Sequence, residues 1–124
     1  VGLNLTHQVR MGSMHGRVCA TFGTPVGDAM AELLEFYTTF HVAEEETEDG
    51  PVHDPCAVLA VTHPHLFNTE ARSVHVEAGG THTRGMTVVD ERGPRADGPA
   101  NCDVAYEADA DALVDLVMQA VRAA

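Results

Sequence analysis

The sequence predicts an α/β chain, because segments of strand-type alternation and segments of helical periodicity follow one another along it. Leu3 and Leu5 flank Asn4 near the start, Val74 and Val76 alternate within Ser73–Ala78, and Val104 and Tyr106 share one side of Cys102–Ala108. Against these, Val26, Met30, Leu33, Leu34, Tyr37 and Phe40 recur at helical spacing, and Leu113, Leu116, Val117, Ala120 and Val121 form a second such stripe. With 124 residues, no internal repeat and no second core pattern, residues 1–124 hold one domain at most.

Taken in order, Val1 to Thr6 is predicted as a short strand ending at Thr6-His7-Gln8. Residues 9–23 carry Gly12, Gly16 and Gly23 among scattered polar side chains and are predicted as loop with at most a turn of helix. Thr24-Pro25 opens the longest helix, which should run to about Val42 with His41 at its end. Glu44 to Gly50 then places five acids in one connector, where like charges extend a segment rather than fold it. Asp54-Pro55 starts a second helix bearing Ala57, Val58, Ala60 and Val61 and stopping before Pro64. Ser73–Ala78 and Thr83–Asp90, joined through Gly79-Gly80, form a hairpin, and residues 92–101 form a Gly/Pro-rich loop. Cys102–Ala108 is a further strand, and Asp109–Ala123 a closing helix whose N-terminal dipole Asp109 and Asp111 complement.

Composition narrows the possible partners. The formal net charge is -12, carried with seven arginines and no lysine, so a nucleic-acid backbone or an anionic membrane surface would be repelled. Such a surface is also what a salt-loaded cytoplasm favours, and a halophilic origin is a hypothesis on that ground. Cys19, Cys56 and Cys102 are odd in number, widely spaced and without a CxxC, which points to reduced cytoplasmic thiols rather than a disulfide framework or a zinc site. No apolar run reaches the roughly 18 residues of a membrane span, and the first residues lack a basic-then-apolar targeting pattern.

Chemistry concentrates in Pro51-Val52-His53-Asp54-Pro55-Cys56-Ala57-Val58. Asp54 before Pro55 has the form of an N-cap followed by the first helical residue, which puts His53 last before the helix. A histidine there can offer a proton near neutral pH, and the adjoining carboxylate can cap the helix or bind a hard cation. A capped helix preceded by a loop histidine accounts for the same residues. His41 faces the loop that leads to His53 and is a candidate pocket residue, although the helix dipole explains a histidine at that end equally well. The other histidines, His7, His15, His63, His65, His75 and His82, do not form a ligand set that would converge on one ion. The acidic connector lacks the ligand alternation of a calcium loop. No GxGxxG, GxxxxGK[ST] or GxSxG occurs, and Cys56, one turn from His53, is a small core residue rather than a nucleophile.

Five strings carry a resemblance. Val1-Gly2-Leu3-Asn4-Leu5-Thr6-His7-Gln8, Phe36-Tyr37, Val52-His53-Asp54-Pro55-Cys56-Ala57-Val58, Thr83-Arg84-Gly85-Met86-Thr87-Val88-Val89-Asp90 and Asn101-Cys102-Asp103-Val104-Ala105 occur in this order along the whole chain. Together they resemble the C-terminal part of the inosine/uridine-preferring nucleoside hydrolases.

The resemblance implies an α/β fold with a mostly parallel central sheet, plus the hairpin and the closing helix. It implies a calcium-dependent N-ribohydrolase, usually a homo-oligomer, that splits a ribonucleoside into ribose and free base. His53 maps onto the acid that protonates the departing base and Asp54 onto a calcium ligand, with Tyr37 and His41 as candidate substrate-binding residues. Protonation lets the base leave neutral from an oxocarbenium-like transition state, while calcium would orient the ribose hydroxyls and lower the pKa of the attacking water. The family's N-terminal aspartate cluster and ribose-gripping Asn/Glu residues have no counterpart here. Some members carry a tyrosine and an arginine where this chain has His41 and Glu45. Asp54 alone cannot supply the six to eight oxygens that calcium takes. The 124-residue chain is therefore expected to be inactive by itself and to need a missing N-terminal half. The competing expectation is a non-catalytic remnant or interaction module whose bare apolar edge is covered by a partner or a second copy.

Overall fold

The computed structural model describes the backbone of residues 1–45 and 47–124 and the side chains of residues 1–39 and 47–124. A single helical turn, α1 (Leu3–Thr6), leads into β1 (Arg10–Gly12), α2 (Ser13–Ala20) and the long α3 (Pro25–Glu45). Then follow β2 (Asp49–Pro51), α4 (His53–Thr62), β3 (Phe67–Val76), β4 (Thr87–Asp90), β5 (Cys102–Ala108) and α5 (Ala110–Ala123). Short 3-10 turns at Pro64–Leu66 and Gly93–Arg95 complete the order.

The strands form two antiparallel sheets, one of β1 and β2 and one in the order β4-β3-β5, so the mostly parallel sheet expected from the resemblance is not found among the described residues. The reason is connectivity: β3 returns through a hairpin to β4, and the loop after β4 brings β5 back along the opposite edge of β3. Ser73 to Val76 pair with Asp90 to Thr87, while Phe67 to Arg72 pair with Ala108 to Cys102 across an irregularity at Asn68/Thr69. The hairpin forms, but its turn falls at residues 81–85 rather than at Gly79-Gly80 and the return strand starts at Thr87 rather than Thr83; Gly85 takes φ 86 and its N–H donates to the Glu77 carbonyl at 2.7 Å.

Val1 to Thr6 is not a strand. Leu5 and Thr6 N–H both donate to Gly2 O at 3.1 Å and His7 N–H to Leu3 O at 3.0 Å, so the segment closes its own hydrogen bonds. A Leu-x-Leu alternation this short is compatible with either form; here Leu5 is buried and Leu3 exposed. Residues 9–23 likewise hold β1 and α2 rather than loop. Two of their glycines serve close packing: a Cβ on Gly12 would lie 2.1 Å from the Glu48 carbonyl, and one on Gly16 would lie 3.2 Å from the Ala31 carbonyl on α3.

The core is small. Leu5, Val9, Cys56, Phe67, Ala105 and Leu113 cluster where α1, α4, α5 and the β3–β5 pair meet. Asp109 caps α5 by accepting from the Ala112 N–H at 3.0 Å. Of that helix's apolar stripe only Leu113 and Val121 are buried, and Leu116, Val117 and Ala120 border an apolar groove against Pro55, Val58 and Leu59 of α4. Among the described residues no helix is long and apolar enough to cross a membrane.

One buried carboxylate organises the loop behind β4. Asp90 accepts from the Arg92 guanidinium at 2.8 and 2.5 Å, from the Asp97 N–H at 2.8 Å and from the Arg92 N–H at 3.0 Å. The Arg92 guanidinium first, and then those two backbone donors, hold its carboxyl well below the usual carboxylate range. With the folded pKa below the unfolded one, the contribution to stability is complete above the unfolded value of about 3.9 and is lost as pH falls through the folded one. Asp90→Asn should lower the melting temperature at pH 7, with the gap from wild type closing as pH drops below about 4. Equal melting at pH 7 would refute the clamp.

Candidate active site

His53 does not precede α4; it is its first residue, and the N-cap is the extended Val52, which has no side-chain cap. Asp54 is therefore the second helical residue rather than the cap, and Pro55 the third. Proline is tolerated there because first-turn N–H groups have no intrahelical acceptor in any case. The consequence is chemical: the Asp54 carboxylate makes no cap and is exposed, on the positive end of the helix dipole.

Three contacts fix where α4 starts. The Val52 N–H donates to Val9 O at 2.9 Å, Tyr37 Oη donates to Pro51 O at 2.6 Å, and Cys56 Sγ donates to Val52 O at 2.9 Å. Arg10 reinforces the β2 end of this arrangement through Asp49 Oδ1 at 2.7 Å and Thr47 Oγ1 at 3.0 Å. Burial pushes the Cys56 thiol up, as suits a core residue.

His53 and Asp54 open together onto a cavity of about 690 Å3. Val1 to Asn4 and Thr6 line it together with Val74, Thr87, Val89 and Cys102–Val104 of the three-stranded sheet. The volume falls within the roughly 300–1,000 Å3 of small-molecule sites, and the pattern of a mostly apolar wall with a few polar groups is also theirs. His53 Nδ1 lies 2.8 Å from Thr6 Oγ1, and the His7 ring sits 5.5 Å from the His53 ring at 57°.

The structure thus brings His53 and Asp54 into one cavity. Tyr37 is not on its lining; its hydroxyl donates to the Pro51 carbonyl, two residues before His53. The side chain of His41 lies outside the described residues, as does that of Glu45. Thr6, Asn4 and Asp103 reach the site without having been singled out in the sequence. Only the first resembling string gave a signal for Thr6, and it carried no role.

A calcium ion does not fit the described residues alone. No group of three or more His, Cys, Asp or Glu side chains among them converges on one point. Asp54 offers one carboxylate where calcium takes six to eight oxygens.

The fold is that of the nucleoside hydrolases. A plant nucleoside hydrolase, PpNRh1, superposes with a TM-score of 0.86 at 22% identity over 100% of this chain and 41% of its own. The purine-preferring ribonucleoside hydrolase from Gardnerella vaginalis gives 0.84 at 24% identity, over 98% of this chain and 38% of its own. The profile of the inosine-uridine preferring nucleoside hydrolases matches residues 1–115, and the chain belongs to that family. It is 42% identical to the inosine-uridine preferring nucleoside hydrolase of Leishmania major over 98% of this chain, and 37% identical to the pyrimidine-specific ribonucleoside hydrolase RihA of Enterobacter sp. (strain 638) over 95%. It spans 38% of the length of either relative.

Proposed function

We propose that this chain supplies the acid half of a ribonucleoside N-ribohydrolase site, cleaving the bond between C1′ of ribose and the base nitrogen. The observation that carries the reading is the pair His53 and Asp54, adjacent on the first turn of α4 and opening onto the same cavity. As the C1′–N bond breaks, its electron pair passes to the base, and the His53 imidazolium delivers a proton so that the base leaves neutral. Water adds at C1′ and loses a proton to a base that these residues do not include, giving ribose. Val74, Val89 and Val104 offer the apolar wall against which a nucleobase can lie. Tyr37 holds the start of α4 in place through Pro51, and Asp54 would be one carboxylate of a calcium site whose other ligands lie beyond the described residues. The working unit is this chain joined to the remaining part of such a domain, in a homo-oligomer.

The test is ribose release from inosine and uridine by that assembly. It should be lost in His53→Ala, and a variant retaining the wild-type rate would refute the assignment. The same cavity in an assembly that binds ribonucleosides but never releases ribose would support the non-catalytic module instead.

A further inference from the structure

The His53–Thr6 contact assigns more than proximity. Thr6 is only 3% exposed, and its Oγ1 lies 3.5 Å from the Leu3 carbonyl, to which it donates, and 2.8 Å from His53 Nδ1. The threonine is held by its own turn, since its N–H donates to Gly2 O and its carbonyl accepts from the Val9 N–H, both at 3.1 Å. Val9 O in turn accepts from the Val52 N–H at 2.9 Å, so the two partners are tied together by backbone as well. Among the described residues His53 Nε2 has no hydrogen-bond partner, while the ring lines the cavity.

Two arrangements satisfy a hydroxyl beside an imidazole nitrogen. In one, Thr6 donates to a bare Nδ1; in the other, it directs its single hydrogen to Leu3 O and accepts from Nδ1–H. The contact to the Leu3 carbonyl favours the second, which leaves Nε2 as the nitrogen open to the cavity. We infer that Thr6 is a positioning residue for His53: its hydroxyl accepts from Nδ1–H, sets the tautomer, and holds Nε2 towards the cavity. The inference rests on the reading of His53 as the acid for its consequence, but not for its geometry.

The decisive measurement is the 15N spectrum of imidazole-labelled protein at a pH where His53 is neutral, with the His53 signals assigned by their absence in His53→Gln. Wild type should show the Nδ1–H form as the main tautomer. Thr6→Val, close in shape but without the hydroxyl, should revert towards the mixture of an unrestrained ring, and Thr6→Ser should keep the Nδ1–H form. In the nucleoside-cleaving assembly, Thr6→Val should lower kcat about 10–100-fold with KM little changed, as a misaligned catalytic group does, and Thr6→Ser should restore most of the rate. A wild-type ring protonated mainly at Nε2 overturns the inference whether or not Thr6→Val folds, and so does a Thr6→Val spectrum identical to wild type. Ribose release that survives His53→Ala would overturn the acid role while leaving the Thr6 assignment standing.

Discussion

In an assembly that cleaves ribonucleosides, His53→Ala should lower kcat by about 10²–10⁴, the usual worth of a general acid, or roughly 3–5 kcal/mol of barrier. The size should depend on the leaving group. A purine or uracil anion is a poor leaving group and gains most from the proton, whereas a nitrophenolate leaves without it. Inosine and uridine should therefore show the full loss, and a nitrophenyl riboside almost none. That contrast separates an acid from a residue that merely shapes the cavity, since a shape defect would slow all three. Asp54→Ala should behave differently. On the proposed reading it removes one oxygen ligand, so the intact assembly should lose affinity for calcium in a direct titration, and its residual rates on inosine and the nitrophenyl riboside should fall alike. Equal losses on inosine and the nitrophenyl riboside for His53→Ala, or unchanged calcium affinity for Asp54→Ala, would remove these roles.

The parts of the fold that sequence foretold are those whose pattern is long or whose punctuation is unambiguous. α3 begins at Pro25 as its Thr24-Pro25 signal indicates, β5 and α5 match their alternation and stripe, and the hairpin forms between β3 and β4. The misses share a cause, which is that tertiary neighbours decide short segments. Six residues around Leu3 and Leu5 carry too little periodicity to separate a strand from a turn of helix, and Gly12 and Gly16 have the composition of a loop while serving close backbone approach. At the site, the adjacency of His53 and Asp54 is a property of the chain and was legible. The partner of His53 comes from 47 positions upstream, and no local pattern announces a contact of that span.

The isolated 124-residue chain should release no ribose from inosine, uridine or a nitrophenyl riboside at any calcium concentration. Its surface measures 8179 Å2, roughly a quarter more than the ~6,400 Å2 that scaling gives for a compact monomer of 13.2 kDa. The excess is apolar where it counts: Val61 is 81% exposed and Val58 61% on α4, beside the groove shared with α5. A chain in this condition gains by covering its bare faces, and it should elute from a sizing column as more than a monomer. Its catalytic deficit is separate from that association. A second copy brings a second His53 and Asp54 but, among its described residues, no group of three or more His, Cys, Asp or Glu side chains that could hold a metal, so self-association should not restore turnover, whereas adding the remaining part of such a domain should. Turnover by the purified chain alone, abolished by His53→Ala, would overturn this division of the site.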